Sequence, residues 1–179
     1  MAAPDVGDVV VHVLLVDGYN VIRLTPPYRY LADDDEMDAA RAALIADVAA
    51  FAQGEYEATV VFDGGGNPMS TGEPHEMLGV TVVFSPYGVE ADAIIEARAR
   101  RARNLGRTVL VVTSDAQTQW AVMGGSVTRR SSDEFAGDLR GNDREWREHA
   151  PSGSARQRVE DAIDPSVRAT LERWARGLD

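Results

Sequence analysis

A chain of 179 residues with 44% hydrophobic and 26% charged content is long enough for one domain with a substantial core, and this balance excludes fibrous and disordered classes. Its formal net charge of −11 argues against broad adhesion to nucleic acid, which phosphate neutralisation drives, while leaving room for a local basic surface. Cysteine is absent, so disulfide and thiolate chemistry are excluded, any metal needs oxygen or imidazole ligands, and nothing points to an oxidising compartment. The 18 basic residues are all arginine. Met1 to Asp8 carry acids and no basic residue, unlike a signal peptide, and no run approaches the ~20 apolar residues of a membrane span. A soluble, cytoplasmic protein is expected.

The run Asp8 to Val16, interrupted only by His12, reads as a strand covered on both faces, and it stops at Asp17-Gly18. Helical spacing of alanines and Ile45 predicts a helix over Asp38 to Phe51, capped by Asp35 and ended by Gly54. Ala58 to Phe62 and Val80 to Phe84 read as buried strands, followed by Asp63 and Ser85. Glu90 to Leu105 is a second long helix, its core face drawn from Ala91, Ile94, Ile95, Ala99, Ala102 and Leu105. Thr108 to Val112 is a further strand running into Thr113-Ser114-Asp115, then a short helix over Gln117 to Met123 and a strand from Val127. Ser131 and Glu134 have capping-box spacing, predicting a helix from Ser132 towards Glu148. Pro151 to Ser154 is linker-like, and Pro165 to Ala175 reads as an amphipathic helix carrying Val167, Leu171 and Trp174.

Alternating strands and helices predict a doubly wound, mostly parallel α/β sheet of about five strands with helices on both faces. The expected organisation is one domain over residues 8–150, with 151–179 a linker and helical extension packed on or near it.

In such sheets ligands bind beyond the carboxyl ends of the strands. Asp17, Asp63 and Asp115 each follow a strand, and Asp92 opens the helix after another, with Glu96 four residues on along the same helical face. Carboxylates gathered at one rim repel one another unless a cation neutralises them, and magnesium or manganese suits an all-oxygen set. Phosphodiester hydrolysis is chemistry such a site supports. Taken singly, each acid is equally a strand-ending turn or a helix cap. The three histidines lack ligand spacing, which argues against zinc.

VDGYNVI at Val16 to Ile22, VVFDG at Val60 to Gly64, VVFS at Val82 to Ser85, EADAIIE at Glu90 to Glu96 and VTSDAQTQ at Val112 to Gln119 occur in one order, followed by RRSSDEF at Arg129 to Phe135. This ordered set resembles the YacP-like group of the NYN nucleases, a branch of the PIN-like fold, over about Val13 to Phe135. The resemblance implies a metal-dependent endoribonuclease, its better-known members including a ribosome-associated enzyme that cuts messenger RNA. Carried onto matching positions, it makes Asp17 and Asp92 the principal metal-binding acids, with Asp115 and Asp63 completing or supporting the centre. It makes Asn20 a residue that orients a ligand or phosphate, Ser114 a contact to metal water or phosphate, and Glu96 a supporting acid.

Arg98, Arg100, Arg101, Arg103 and Arg107 form a possible phosphate-tracking stripe, to which Arg129 and Arg130 add, although such a helix face is more often simply solvated. Tyr19 could stack on a base or pack beneath the loop. The expected activity is therefore hydrolysis of RNA with Mg2+ or Mn2+, acting on mRNA on the ribosome as the resemblance implies. The rival reading is a noncatalytic ribosome- or RNA-binding module, and a weaker one is a metal-dependent phosphatase.

Overall fold

The computed structural model describes residues 11–26, 28–33, 36–114, 126–139 and 165–178. Strand β1 (His12–Asp17) leads into three helices, α1 (Gly18–Leu24), α2 (Tyr28–Asp33) and α3 (Met37–Ala52). Strands β2 (Tyr56–Phe62), β3 (Pro74–Met77) and β4 (Val80–Phe84) follow, then α4 (Ala91–Asn104), β5 (Val109–Val112) and β6 (Val127–Arg130). Helix α5 spans 132–139 as described, and α6 is Pro165–Ala175. The expected strands over Ala58 to Phe62, Val80 to Phe84 and Thr108 to Val112, and the helices over Asp38 to Phe51, Glu90 to Leu105 and Pro165 to Ala175, thus form with their ends shifted by at most two residues. The helix expected over Gln117 to Met123, and the continuation of α5 towards Glu148, lie outside the described residues.

Six strands pair in the order β3-β4-β2-β1-β5-β6, all parallel except the β3–β4 hairpin. One more strand is present than expected, and it is β3. Its sequence, PHEM, alternates exposed and half-buried positions and opens with a proline, the composition of a polar edge strand without an apolar run to mark it.

Side chains alternate across each strand, so the apolar runs feed two cores. Leu14 and Val16 face a core built with α1, α2, α3, α5 and α6, whereas Val13 and Leu15 face α4 through Ala91, Ile95, Ala99 and Ala102. The predicted core face of α4 holds with one exception. Leu105 is 68% exposed, because the helix closes at Asn104 and the chain reverses through Gly106 at φ +73°.

Helix α6 is bound into the first core. Leu171 is fully buried there, and Trp174 stacks on His75 of β3 with ring centroids 4.2 Å apart. Its end is a Schellman turn, with Leu178 N–H donating to Arg173 O at 2.9 Å and Gly177 at φ +70°. Gly177 lies so close to the Met69 backbone that a Cβ has no room, and Asn67 Nδ2 donates to Ala175 O at 2.8 Å. The end of α6 therefore braces the loop after β2.

Candidate active site

Asp17 is the last residue of β1 and only 9% exposed. It also caps α1, its Oδ1 accepting from Asn20 N–H at 3.1 Å. Strand meets helix without a linker because residue 18 is glycine, since any Cβ there would overlap the Phe62 ring. Tyr19 packs on that ring, with centroids 5.1 Å apart, and its hydroxyl accepts from Arg41 Nε at 3.1 Å, so it serves packing beneath the turn.

Alternation along β1 directs Asp17 to the same face as Val13 and Leu15, the face covered by α4. Val61 is the register partner of Asp17 and shares a core cluster with Ala91, the residue before Asp92. The two acids thus come from opposite halves of the motif set to one end of one face. Asp92 Oδ1 is buried with no hydrogen-bond partner among the described residues.

Asp63 follows β2 at the same edge, but it is exposed and its Oδ1 accepts from Gly65 N–H at 2.8 Å. Its loop is latched to the segment before α4. Gly64 N–H donates to Ser85 Oγ at 2.9 Å, Ser85 Oγ donates to Val89 O at 2.7 Å, and Ser70 Oγ donates to Ser85 O at 2.7 Å. Gly64-Gly65-Gly66 is accordingly a turn with a packing duty at Gly64, where a Cβ would meet Ser85 O and Ser70 Oγ. Asp17, Asp63 and Asp92 share an edge without closing into a three-acid cage among the described residues. Asp115 lies outside the described residues. Glu96 is one turn beyond Asp92 and pairs with Arg100.

Asn20 ties three segments together. Its Oδ1 accepts from Ser114 N–H at 2.9 Å and from Ser132 Oγ at 2.7 Å, while Ser132 N–H donates to Ser114 Oγ at 2.9 Å. Ser132 is fully buried and is absent from the sequence-based site. It sits inside the RRSSDEF motif, where the neighbouring Ser131 carries the legible capping signal.

The arginines divide by position. Arg129 and Arg130 end β6 at the acidic edge, where Arg129 Nε donates to Thr113 O at 3.2 Å and Arg130 pairs with Asp138. Arg101 is exposed, but α4 runs away from that edge, which carries Arg101 about 15 Å along the axis from the start of the helix. Arg107, further on, is bound to Glu57 at 2.8 Å and to Val11 O at 3.0 Å. The arginine stripe as a whole therefore does not converge on the acids.

Residues 14–176 match the YacP-like NYN domain family. The chain belongs to this family. The match runs well past Ala136, through Leu171 and Trp174, so helix α6 falls within the family's span as well as within the core. Among relatives, a Bacillus subtilis (strain 168) protein named "Uncharacterized protein YacP" is 29% identical over 174 residues, covering 92% of this chain and 97% of that protein. The crystal structure of Rae1 (YacP) from Bacillus subtilis aligns with a TM-score of 0.64 at 28% identity, covering 93% of this chain and 96% of that one. A tryptophan-to-leucine variant of the same protein aligns with a TM-score of 0.65 at 27% identity, over 90% and 98% of the two chains. Membership of the NYN family brings a nuclease-like, RNA-directed role and the PIN-like fold. No described helix is long and apolar enough to cross a membrane.

The RRSSDEF motif also starts α5. Ser131 N–H and Oγ–H both donate to Glu134 Oε2 at 2.8 Å, and Glu134 N–H donates back to Ser131 Oγ at 3.2 Å, completing the expected capping box. The Ser131 backbone bond, then its hydroxyl, hold the Glu134 carboxyl below its usual 4.5. A lowered folded-state pKa contributes stability above the unfolded value and loses it as pH falls through the folded value. Parallel acid titrations of wild type and Glu134→Gln, followed by thermal melting, should therefore show wild type falling more steeply below about pH 4.5, with no difference in slope near neutrality. Identical slopes through the acid range would remove the capping role from Glu134.

Proposed function

We propose that this chain is a divalent-metal-dependent endoribonuclease of the cytoplasm, hydrolysing RNA phosphodiester bonds at the carboxyl edge of the sheet. The observation that carries the reading is that Asp17 ends β1 on the face α4 covers while Asp92 opens α4, the latter with a buried carboxylate oxygen that nothing among the described residues satisfies. A buried, unpartnered carboxylate oxygen is costly, and a hard cation is the partner that suits it. Asp17 and Asp92 would hold Mg2+ or Mn2+, with Asp115 as the third acid implied by the motif order and Asp63 supporting from the adjoining loop. When bound, the ion lowers the pKa of a water and offsets charge on the phosphate.

The chain's own groups complete the reading. The Asn20 N–H orients the Asp17 carboxylate, the Asn20 amide would face a phosphate oxygen, and Arg129 and Arg130 offer guanidinium donors at the same edge. Ser114 stays in a positioning role, since its N–H and Oγ both engage the Asn20–Ser132 bridge. Arg101 is left as a contact for RNA running beyond the site. Messenger RNA on the ribosome is the target that the family resemblance favours.

Purified protein incubated with end-labelled RNA in Mg2+ or Mn2+ is expected to release internal cleavage products, and EDTA to abolish them. Binding to RNA or ribosomes that is indifferent to chelator, with no products in either metal, would instead favour a noncatalytic module. Hydrolysis of a generic phosphomonoester with RNA left intact would favour a phosphatase.

A further inference from the structure

The hydrogen bonds around Asn20 fix the orientation of its amide. Ser114 supplies a backbone N–H, which can only donate, so the atom it meets is the carbonyl oxygen. Ser132 Oγ donates to the same oxygen at 2.7 Å from a fully buried position, which occupies both acceptor sites of Oδ1. Nδ2 is thereby turned away from these partners, and it donates to none of the described residues. Asn20 is also the residue whose backbone N–H grips Asp17.

We propose that Ser132 is a positioning residue that locks the Asn20 side chain so that its NH2 group, and never its carbonyl, faces the acidic edge, where it donates to a non-bridging phosphate oxygen of the substrate. The inference rests on the nuclease reading above and deepens it. A free donor on the residue that also caps Asp17 suits a ligand that brings acceptor oxygens, and phosphate is such a ligand. Without the Ser132 hydroxyl, one lone pair of Oδ1 is left without a partner and the amide is held from one side only. Ser132 is joined to this edge a second time, through its own N–H to Ser114 Oγ, so a change at its hydroxyl leaves the backbone connection in place.

The test is a double-mutant cycle on kcat/KM for an oligoribonucleotide in Mg2+, using Ser132→Ala, Asn20→Ala and the pair. Expected losses are about tenfold for Ser132→Ala and about a hundredfold for Asn20→Ala, with the double variant no worse than Asn20→Ala, because Ser132 acts through Asn20. Losses that multiply would show Ser132 acting independently and overturn the proposal. A readout free of activity accompanies it. In 1H–15N spectra of the metal-free protein, Ser132→Ala should move the Asn20 side-chain NH2 signals, and unmoved signals count against the lock.

If Ser132→Ala does not fold, Asn20→Asp decides. It keeps both incoming bonds and exchanges only the outward NH2 for an anionic oxygen, so with Mg2+ present it should still melt cooperatively and cleave at least about a hundredfold more slowly. Cleavage at the wild-type rate overturns the proposal and leaves the nuclease reading standing, whereas a wild-type protein that never cuts RNA ends both.

Discussion

Asp17→Asn and Asp92→Asn should each lower RNA cleavage by about a thousandfold or more, a loss of about 4 kcal/mol of transition-state stabilisation, while leaving the fold intact. The two substitutions differ in what they do to stability, which makes them informative together. Asparagine is as good a helix cap as aspartate, so Asp17→Asn retains the bond to Asn20 N–H and should melt near wild type. Asp92→Asn removes charge from a group with a buried, unpartnered oxygen, so in EDTA it should be at least as stable as the parent. Added Mg2+ should raise the melting temperature of wild type and have little effect on either variant, because a ligand stabilises only the state that binds it. If both variants cut RNA at the parental rate, these acids are not the centre.

Leu171→Ala is expected to destabilise the whole domain by about 2–5 kcal/mol, measured by urea unfolding with fluorescence and far-UV dichroism in parallel. Leu171 is fully buried, belongs to the same core cluster as Leu14 and Phe62, and lies on a helix packed against α3. Truncation there both removes apolar burial and opens a cavity beneath the sheet. A loss under about 0.5 kcal/mol with one unchanged transition would mean that α6 is a detachable appendage. Leu171 and Trp174 of the extension join the first core directly, as the packing of a helix on the domain requires.

Sequence reasoning reached the parallel strands because each is covered on both faces and so spells an unbroken apolar run, as in VLLV of β1 and VLVV of β5. It missed α1, whose seven residues begin with glycine and include Val21 and Ile22, poor helix formers by local preference. That helix stands because Val21 and Ile22 are fully buried and Asp17 caps it, both facts of tertiary context. The acidic edge was legible for the same reason as the strands, since the end of each run marks one rim. On sequence grounds Arg101 belonged to a phosphate-tracking stripe to which Arg129 and Arg130 add, because a charge stripe has no direction until the helix carrying it is set antiparallel to the strands. Ser132 was invisible because its role is a bond to Asn20 across 112 positions, and no local pattern encodes it.

The brace between Asn67 and Ala175 joins positions 108 apart, and it steadies the loop that bears Asp63 and is latched to the approach to Asp92. During synthesis the acidic segments emerge long before the buttress exists, so the acidic rim is expected to be among the last parts of the molecule to settle. The proposed activity is accordingly expected to appear only once residues up to Gly177 have been added and the buttress has formed.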